Sequence, residues 1–286
     1  MIKTKKCLFL LLIFYYLTTA TCASVEPAEK NVSPEILKPK HLIFIGLDGW
    51  GGDYVPKANM PNIKRMMMQG ASTLNMICVM PSDSKTNWPV IFTGNPPKIE
   101  KRSSIFKLFN DKNPETNAAF YFQWVDLQNL CDDERTEKKR IITDHELAKI
   151  TVEYIIENKP AFFSVIFTEP DSTGHNKLWG SAAYYSKLAQ LDGFIAEIEQ
   201  AVKDAGIYDD TVFIFSADHG GILKGHGFNS PRQRKIPFII FGKTIKENYT
   251  ITPSRSIRDI APTMALLLGL EIPSDWSGVP LFEIFK

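Results

Sequence analysis

The sequence predicts an α/β domain with a mainly parallel central sheet and helices on both faces. Short apolar runs rich in Ile, Val and Phe suit strands buried on both sides, and they lie at 41–48, 118–124, 162–171, 211–219 and 236–242. Apolar residues at three- and four-residue steps predict helices between them, at 61–70, 144–158, 182–205 and 257–270. Strands that alternate with helices are typical of a parallel sheet.

The N-terminus has the order of a secretory signal peptide, which we place at 1–23. Basic residues precede an apolar run at 7–17, and small and polar residues follow it. This run is about half of the ~20 residues needed to span a bilayer. We therefore expect cleavage near Ala23, or alternatively near Ala20, and a secreted protein without a permanent membrane anchor. A lipoprotein acylated at Cys22 is the alternative.

The remaining chain divides into a leader and one large domain. Residues 24–40 are charged and contain proline without an apolar period, which predicts a leader or linker, and the domain follows at 41–286. Within it, 95–117 is the best candidate for an irregular excursion. Two cysteines remain after signal removal, Cys78 and Cys131. An exported protein can join them in a disulfide, and two separate buried thiols are equally compatible with the sequence.

Charge places a limit on the partners of the protein. The formal net charge is +1, which provides no bulk attraction for nucleic acids or acidic membranes. We therefore expect no nucleic-acid binding, and the function has to be argued from a site.

Three of the predicted strands end in an acid, at Asp48, Asp171 and Asp218. A single aspartate in such a place is ordinarily a helix N-cap or a turn residue. Three of them at strand ends predict convergence at one edge of the sheet, because ligands of open α/β sheets bind beyond the carboxyl ends of the strands.

Histidines adjoin the same acids. Of the five in the chain, His175, His219 and His226 lie beside or shortly after the acidic strand ends, whereas His41 and His145 are interpreted as structural. Carboxylate oxygen and neutral imidazole together form a zinc-compatible ligand set. Six ligands suffice for two ions with three on each, which leaves positions open for chemistry.

A nucleophile is expected in the hydroxyl-rich stretch at 81–94. If a helix starts near Asn87, Ser84 lies just before it, where backbone N–H groups favour an anion. An ordinary N-cap serine explains the same pattern. The local sequence leaves Ser82, Ser84 and Thr86 as equal candidates.

Taken together, these segments resemble the alkaline phosphatase superfamily, and within it the type I phosphodiesterases and nucleotide pyrophosphatases. The resemblance spans roughly residues 41–280. The matching segments are Leu47-Asp48-Gly49, Ser84-Lys-Thr-Asn87-Trp88 with Thr93-Gly94, Glu169-Pro-Asp171-Ser-Thr-Gly-His175, Asp218-His219-Gly220, Gly225-His226-Gly227 and Ser256-Ile-Arg-Asp259-Ile-Ala-Pro262-Thr263. It implies an alkaline-phosphatase-like fold and a metal-dependent phosphoesterase domain at 41–286.

The resemblance also implies the roles of individual residues. The family nucleophile lies three residues before an Asn and nine before the Thr of a Thr-Gly pair, and Ser84 satisfies both spacings. Two divalent ions, with zinc expected, are then held by Asp171, His175 and His226 and by Asp48, Asp218, His219 and Ser84. Asn87 is implied to hydrogen-bond a phosphoryl oxygen.

The sequence also departs from the family pattern. Many relatives have Thr at the position of Ser84, and His226 follows Asp-His-Gly after a short interval, which implies a compact protein without a large late insertion. The Cys/Ser-x-Pro-x-Arg context that sulfatases need is absent from the sequence, which disfavours that activity.

The substrate is expected to be a small-molecule phosphate ester or a nucleotide. Because no arginine matches the phosphate-binding arginine of the monoesterases, a phosphodiester or pyrophosphate bond is favoured. A phosphomonoesterase and a non-catalytic surface binding protein are the alternatives. Five aromatic residues could stack on a nucleobase or aryl group, although core or interface packing is the favoured explanation for each of them, namely Trp50, Trp88, Tyr121, Trp124 and Trp179.

Overall fold

One eight-stranded sheet forms the centre of the fold. The computed structural model describes residues 38–96, 103–116, 118–252 and 254–286. Its strands are β1 His41–Asp48, β2 Gly70–Ile77, β3 Ala119–Phe122, β4 Glu137–Arg140, β5 Phe162–Pro170, β6 Thr211–Ser216, β7 Lys235–Gly242 and β8 Tyr249–Thr250. They are arranged across the sheet in the order β4-β3-β5-β1-β6-β7-β2-β8.

Most neighbouring strands run parallel, which confirms the predicted sheet. Strand β1 pairs in parallel with β5 on one side and with β6 on the other, and β3 pairs in parallel with both β4 and β5. Strand β7 is antiparallel to both of its neighbours, β6 and β2. The sheet is therefore mixed, with its parallel part around β1.

The helices flank this sheet. They are α1 Pro61–Met68, α2 Ser84–Thr93, α3 Ile105–Lys112, α4 Asp144–Asn158, α5 Asp171–Lys177, α6 Ala182–Asp204, α7 Pro231–Arg234 and α8 Ile260–Leu267. Helices α1, α4 and α5 pack on α6, whereas α2, α3 and α8 pack on one another.

Consecutive residues of β5 show that the two groups of helices cover opposite faces, since neighbouring side chains of a strand point to opposite sides. The ring of Phe162 stacks on Phe106 of α3 at a centroid distance of 5.3 Å. The ring of Phe163 stacks on Tyr154 of α4 at 5.4 Å. Both faces are buried, as the apolar composition of the strand predicts.

Three strands have no signal in the predicted pattern, namely β2, β4 and the two-residue β8. Strand β4 consists of exposed charged residues at 137–140, and it is held by pairing with β3 at the edge of the sheet. Strand β2 contains Gly, Ser, Thr and Asn among its apolar residues. Backbone pairing rather than side-chain pattern defines these strands.

The expectation of an irregular segment at 95–117 is wrong for 105–112, where α3 lies. The side chain of Ser104 caps this helix by accepting from the backbone N–H of Lys107. Phe106 and Phe109 are buried against the sheet. A short helix with a few apolar residues escapes a search for long periodic segments.

The two cysteines are separate buried thiols, so no disulfide joins them in this structure. The Sγ atom of Cys78 faces the carbonyl of Gln233 at 3.8 Å. That of Cys131 faces the carbonyl of Asp133 at 3.4 Å. The sequence had left both arrangements open.

The predicted signal peptide, Cys22 and most of the leader lie outside the described residues, which begin at 38. Within the described part of the chain, no helix has the length and apolar character required to cross a membrane.

Phe106 offers a test of the role of α3 in the core. Its ring lies 5.0 Å from that of Phe92, 5.1 Å from that of Phe120 and 5.3 Å from that of Phe162. Because Phe106→Ala leaves a cavity among these rings, we expect it to lower the free energy of unfolding by about 3–5 kcal/mol in denaturant titration. The control Phe282→Ala, at an exposed aromatic residue, changes it by less than about 0.5 kcal/mol. Equal effects of the two variants would contradict this packing role.

Candidate metal centre

The three predicted acids meet at one edge of the sheet. Strands β5, β1 and β6 are adjacent and parallel, so their carboxyl ends lie side by side. Asp48 is the last residue of β1, Asp171 directly follows β5, and Asp218 lies two residues beyond the end of β6. The convergence predicted from the strand ends is present in the structure.

Asp171, His175 and His226 form the first cluster of ligand atoms, which lie within 4.8 Å of one another. The Nε2 atom of His175 lies 3.5 Å from Oδ2 of Asp171, and that of His226 lies 3.6 Å from Oδ1 of Asp171. Asp171 and His175 are the first and fifth residues of α5, so their side chains share one face of that helix. The structure thus brings the first implied triad together.

The second cluster contains Asp48, Asp171 and His219, also within 4.8 Å. Asp218 adjoins it, with Oδ2 at 3.3 Å from Nε2 of His219. The Ser84 hydroxyl lies 3.2 Å from Oδ1 of Asp48 and 3.0 Å from Nε2 of His219. The residues implied for the second ion therefore lie together, and the structure adds that Asp171 adjoins both clusters.

Backbone carbonyls orient all three histidines in the same way. The Nδ1 atom of His175 lies 2.8 Å from the carbonyl of Lys224, that of His219 lies 2.9 Å from the carbonyl of Gly220, and that of His226 lies 3.1 Å from the carbonyl of Ser82. A carbonyl can only accept, so each Nδ1 carries the proton and each Nε2 presents a lone pair. Such pinning of the outer nitrogen is typical of metal-binding histidines.

Two buried carboxylate oxygens have no hydrogen-bond partner among the described residues, namely Oδ1 of Asp171 and Oδ2 of Asp218. Both adjoin the Nε2 lone pairs. The Nε2 atoms of His175 and His226 face one another at 3.0 Å. Several acceptors that face inward without donors need a cation, so this donor set fits divalent metal ions of the zinc type.

Burial and mutual repulsion disfavour the charged forms of the acids. Burial, followed by the charge of Asp218, raises the pKa of Asp48 to about 8. Burial, followed by the charge of Asp48, raises the pKa of Asp171 to about 9. Burial alone raises the pKa of Asp218 to about 7. A bound cation removes this repulsion by compensating the negative charge.

Burial shifts His219 and His226 toward their neutral, ligating form. Burial, assisted by the neighbouring His219, lowers the pKa of His226 to about 4. Burial also lowers the pKa of His219. Neutral imidazole is the form that binds metals, so both rings are ready to act as ligands near neutral pH.

Helix α2 holds Ser84 over the second cluster. The helix begins at Ser84 itself, three residues before the expected start, because Asp83 is the N-cap and its side chain accepts from the N–H of Thr86 at 2.8 Å. The Ser84 hydroxyl therefore lies at the positive end of the helix dipole, where anions are favoured.

Asn87 does not have the free amide that was expected for a phosphoryl contact. Its side chain is fully buried. Its Oδ1 accepts from the N–H of Val79 at 2.8 Å, and its Nδ2 donates to the carbonyls of Val79, Pro81 and Asp83 at 3.0–3.2 Å. With its hydrogen bonds used, Asn87 ties the loop before Ser84 to α2.

The other two candidate nucleophiles, Ser82 and Thr86, lie in different surroundings from Ser84. Ser82 is buried, and its Oγ donates to the carbonyl of Phe228 at 2.9 Å and accepts from the N–H of Gly227 at 3.1 Å. Thr86 is also buried. Of the three candidates, Ser84 is the one whose hydroxyl contacts the acid and histidine cluster.

Two tryptophans support the centre in ways that the sequence did not reveal. The indole Nε1 of Trp88, one turn after Ser84 on α2, donates to Oδ2 of Asp48 at 2.9 Å. That of Trp179 donates to the carbonyl of Gly49 at 2.9 Å. The Trp179 ring lies against Gly174 and Gly221, where a Cβ would lie 2.5 Å or less from its ring atoms. These contacts join distant segments, so no sequence spacing signals them.

The five aromatic residues considered for stacking on a ligand differ in how far their side chains are buried. Trp50, Trp88 and Tyr121 are fully buried, and Trp179 nearly so. Trp124 is the one of the five that remains partly exposed.

Known proteins resemble parts of this chain at the level of sequence. Arylsulfatase K of Xenopus laevis is 32% identical over 110 residues, which are 37% of this chain and 20% of that protein. Phosphopentomutase of Alkaliphilus oremlandii is 33% identical over 152 residues, which are 53% of this chain and 35% of that protein. The chain thus spans about a fifth to a third of the length of these relatives.

Solved structures share the fold. Murine ectonucleotide pyrophosphatase/phosphodiesterase 5, in an inactive form in complex with AMP, superposes with a TM-score of 0.72 at 13% identity, covering 87% of this chain and 100% of that chain. A 2-O GAG sulfatase superposes with a TM-score of 0.69 at 15% identity, covering 86% of this chain and 73% of that chain. These similarities confirm the alkaline-phosphatase-like fold predicted from the sequence.

The family model described as type I phosphodiesterase/nucleotide pyrophosphatase matches residues 42–101 and 108–222, which make up more than half of the chain. Its range includes β1, α2 and α5, which carry Asp48, Ser84, Asp171 and His175, and it also includes Asp218 and His219 just beyond the end of β6. The chain belongs to the type I phosphodiesterase/nucleotide pyrophosphatase family.

Proposed function

We propose that this protein is a metal-dependent hydrolase of phosphate esters, acting on phosphodiester or nucleotide pyrophosphate bonds of small molecules. Membership of the family supports a phosphoester hydrolase. The observation that carries the proposal is the position of Ser84, whose hydroxyl lies within 3.2 Å of both an acid and a histidine of the cluster. We further propose that the protein is exported through its N-terminal signal.

Two divalent ions, zinc by the donor set, would be held by this centre. One is assigned to Asp171, His175 and His226, and the other to Asp48, Asp218, His219 and Ser84. Bound there, the ions would lower the pKa of a hydroxyl or water and neutralise charge on the oxygens at phosphorus. Distances between the donors support this assignment.

The side chain of Ser84 performs the nucleophilic step. Its hydroxyl lies 3.0 Å from Nε2 of His219 and 3.2 Å from Oδ1 of Asp48. Because the single Nε2 lone pair of His219 is assigned to the metal, the carboxylate of Asp48 is the acceptor for the hydroxyl proton. The Oγ atom attacks phosphorus in line, an Oγ–P bond forms and the P–O bond to the leaving group breaks. Water then attacks the phosphoryl-serine and restores Ser84, so that one ester bond is hydrolysed in each cycle.

Backbone N–H groups at the start of α2 are the proposed donors to the phosphoryl oxygens. This role replaces the one first assigned to Asn87, whose amide is committed to Val79, Pro81 and Asp83. Asn87 is a positioning residue: it fixes the loop that leads into Ser84. The Ser84 hydroxyl and these N–H donors therefore belong to one segment, which Asn87 holds in place.

The proposal is tested with methyl 4-nitrophenyl phosphate as substrate. We expect protein loaded with zinc to release 4-nitrophenol and to contain about two equivalents of metal by elemental analysis. Dialysis against a chelator abolishes turnover, because nothing then lowers the pKa of the Ser84 hydroxyl or neutralises charge on the oxygens at phosphorus, and added zinc restores it. Turnover that survives complete removal of metal would refute the metal-dependent mechanism.

Ser84→Ala tests the nucleophile. We expect kcat/KM to fall by on the order of 10³-fold or more, because the attacking oxygen is lost. Thermal unfolding should show a folded protein. Ser186→Ala, which removes an exposed hydroxyl from α6, serves as the control and retains the rate of the wild type. Full activity of Ser84→Ala would mean that another group attacks phosphorus.

The metal-free protein should lose stability between pH 7 and pH 9. Since the pKa values of Asp48, Asp171 and Asp218 are raised, the folded state retains protons that the unfolded chain has released. Its free energy of unfolding then falls with rising pH, by about 1.4 kcal/mol per pH unit for each retained proton. The lowered pKa values of His219 and His226 have the opposite effect, because they make the free energy of unfolding rise with pH. This effect is confined mainly to pH values below about 6.5.

Thermal melts in chelator at pH 7, 8 and 9 measure this effect. Asp218→Asn removes one of the three carboxylates and should make the decline shallower. A melting temperature of metal-free wild type that is constant or rises over this range would contradict the proposed repulsion.

A further inference from the structure

A cavity of about 350 Å³ opens beside Ser84. It lies between α2 and the 3-10 helix Val125–Leu130, which follows the carboxyl end of β3. Ser84 lines this cavity, whereas none of the six aspartates and histidines of the metal centre does so. Its volume is in the range of small-molecule sites.

The wall of the cavity is mainly apolar. Trp88 and Pro89 contribute from α2, and Trp124, Leu127 and Leu130 contribute from the opposite side. Trp88 and Leu127 are buried within the fold, whereas Trp124 and Leu130 are partly exposed. A ligand ring in the cavity would therefore remove apolar surface of Trp124 and Leu130 from water, which favours binding.

The hydroxyl groups of the wall are already used. Oγ1 of Thr93 donates to the carbonyl of Pro89 at 2.8 Å. Oγ of Ser104 donates to the carboxylate of Asp132. A sugar hydroxyl placed against this part of the wall would find these two groups occupied, and leaving a buried polar group unpaired is unfavourable. The uncharged polar side chain of Asn129 also lines the cavity, but it lies at the exposed rim.

The charged residues of the cavity lie at its exposed rim. Asp126 and Asp132 contribute carboxylates and Lys85 contributes one ammonium. Among the described lining residues, the acids outnumber the base, which disfavours additional phosphate groups at this position. An uncharged group fits both the wall and the rim.

The position of the cavity identifies which ester group it receives. In-line attack by Ser84 expels the leaving oxygen on the side of phosphorus opposite to Oγ. The cavity extends from Ser84 along α2 through Lys85, Trp88, Pro89 and Thr93, which is the side of the nucleophile. The group that enters it is the one that stays on phosphorus.

We propose that this cavity is a subsite for an uncharged apolar ring on the retained ester group, and that Trp124 determines this preference. The inference rests on the proposed hydrolase function and specifies its substrate class. Such a substrate is an aryl-type phosphodiester rather than a nucleoside or a nucleoside polyphosphate.

A series of 4-nitrophenyl phosphodiesters with one common leaving group tests the subsite. The retained group is methyl, phenyl, 1-naphthyl or 5′-thymidyl. We expect kcat/KM for the phenyl and naphthyl esters to exceed that for the methyl ester by at least about tenfold, with the thymidyl ester below the naphthyl ester. Trp124→Ala should reduce the aryl-to-methyl ratio to within about threefold. Trp124→Phe should retain most of the aryl-to-methyl ratio. The control Phe282→Ala, at an exposed residue, should retain the full ratio.

Ligand binding separates failure of the subsite from failure of the proposed function. Phenyl phosphate and methyl phosphate are titrated by tryptophan fluorescence. We expect wild type to bind phenyl phosphate at least about tenfold more tightly than methyl phosphate. Trp124→Ala should bind the two compounds with similar affinity. If no ester is hydrolysed but this difference persists, the hydrolase function fails and the subsite stands. Equal affinities and equal kcat/KM values, or a thymidyl ester faster than the naphthyl ester, would overturn the subsite.

Discussion

The convergence of three carboxylates at the ends of adjacent parallel strands is the constraint on which the rest of the site depends. Asp48, Asp171 and Asp218 are held by the register of β1, β5 and β6, so they cannot separate without disrupting the sheet. Burial makes their charge costly unless a cation compensates it. The neutral, carbonyl-pinned histidines complete a site for that cation.

Helix α2 connects the proposed nucleophile to this sheet edge. Ser84 is its first residue, and Trp88, one turn later, donates to Asp48. The Trp88 ring lies so close to β1 that a Cβ at Gly46 would be 2.5 Å from it, so glycine is required at this strand position. Asn87 secures the loop on the other side. The helix therefore positions the Ser84 hydroxyl, the proposed nucleophile, and an acid of the candidate metal centre together.

The proposed chemistry and the proposed recognition lie on two sides of the same serine. The acids and histidines surround Ser84 at the end of the sheet, whereas the apolar cavity extends from it along α2. Because separate elements form the two regions, the cavity wall around Val125–Leu130 can vary without altering the ligands. Under the proposed function, this separation would let the recognised organic group change while the candidate metal ligands stay the same, consistent with function residing in sites built on a common fold.

The sequence by itself determined the α/β class, most strands and long helices, and the six acids and histidines that cluster, since apolar periodicity and local motifs carry that information. It left three hydroxyls equal as the candidate nucleophile, and only the family resemblance favoured Ser84. The sequence did not reveal strand β4, helix α3, the free thiols or the hydrogen bonds that occupy the Asn87 amide. It also did not reveal that Trp88 donates to Asp48 or that Trp124 is exposed at a cavity. These features depend on contacts between segments far apart in the chain or on burial, and only the tertiary structure decides which polar atoms remain free to act.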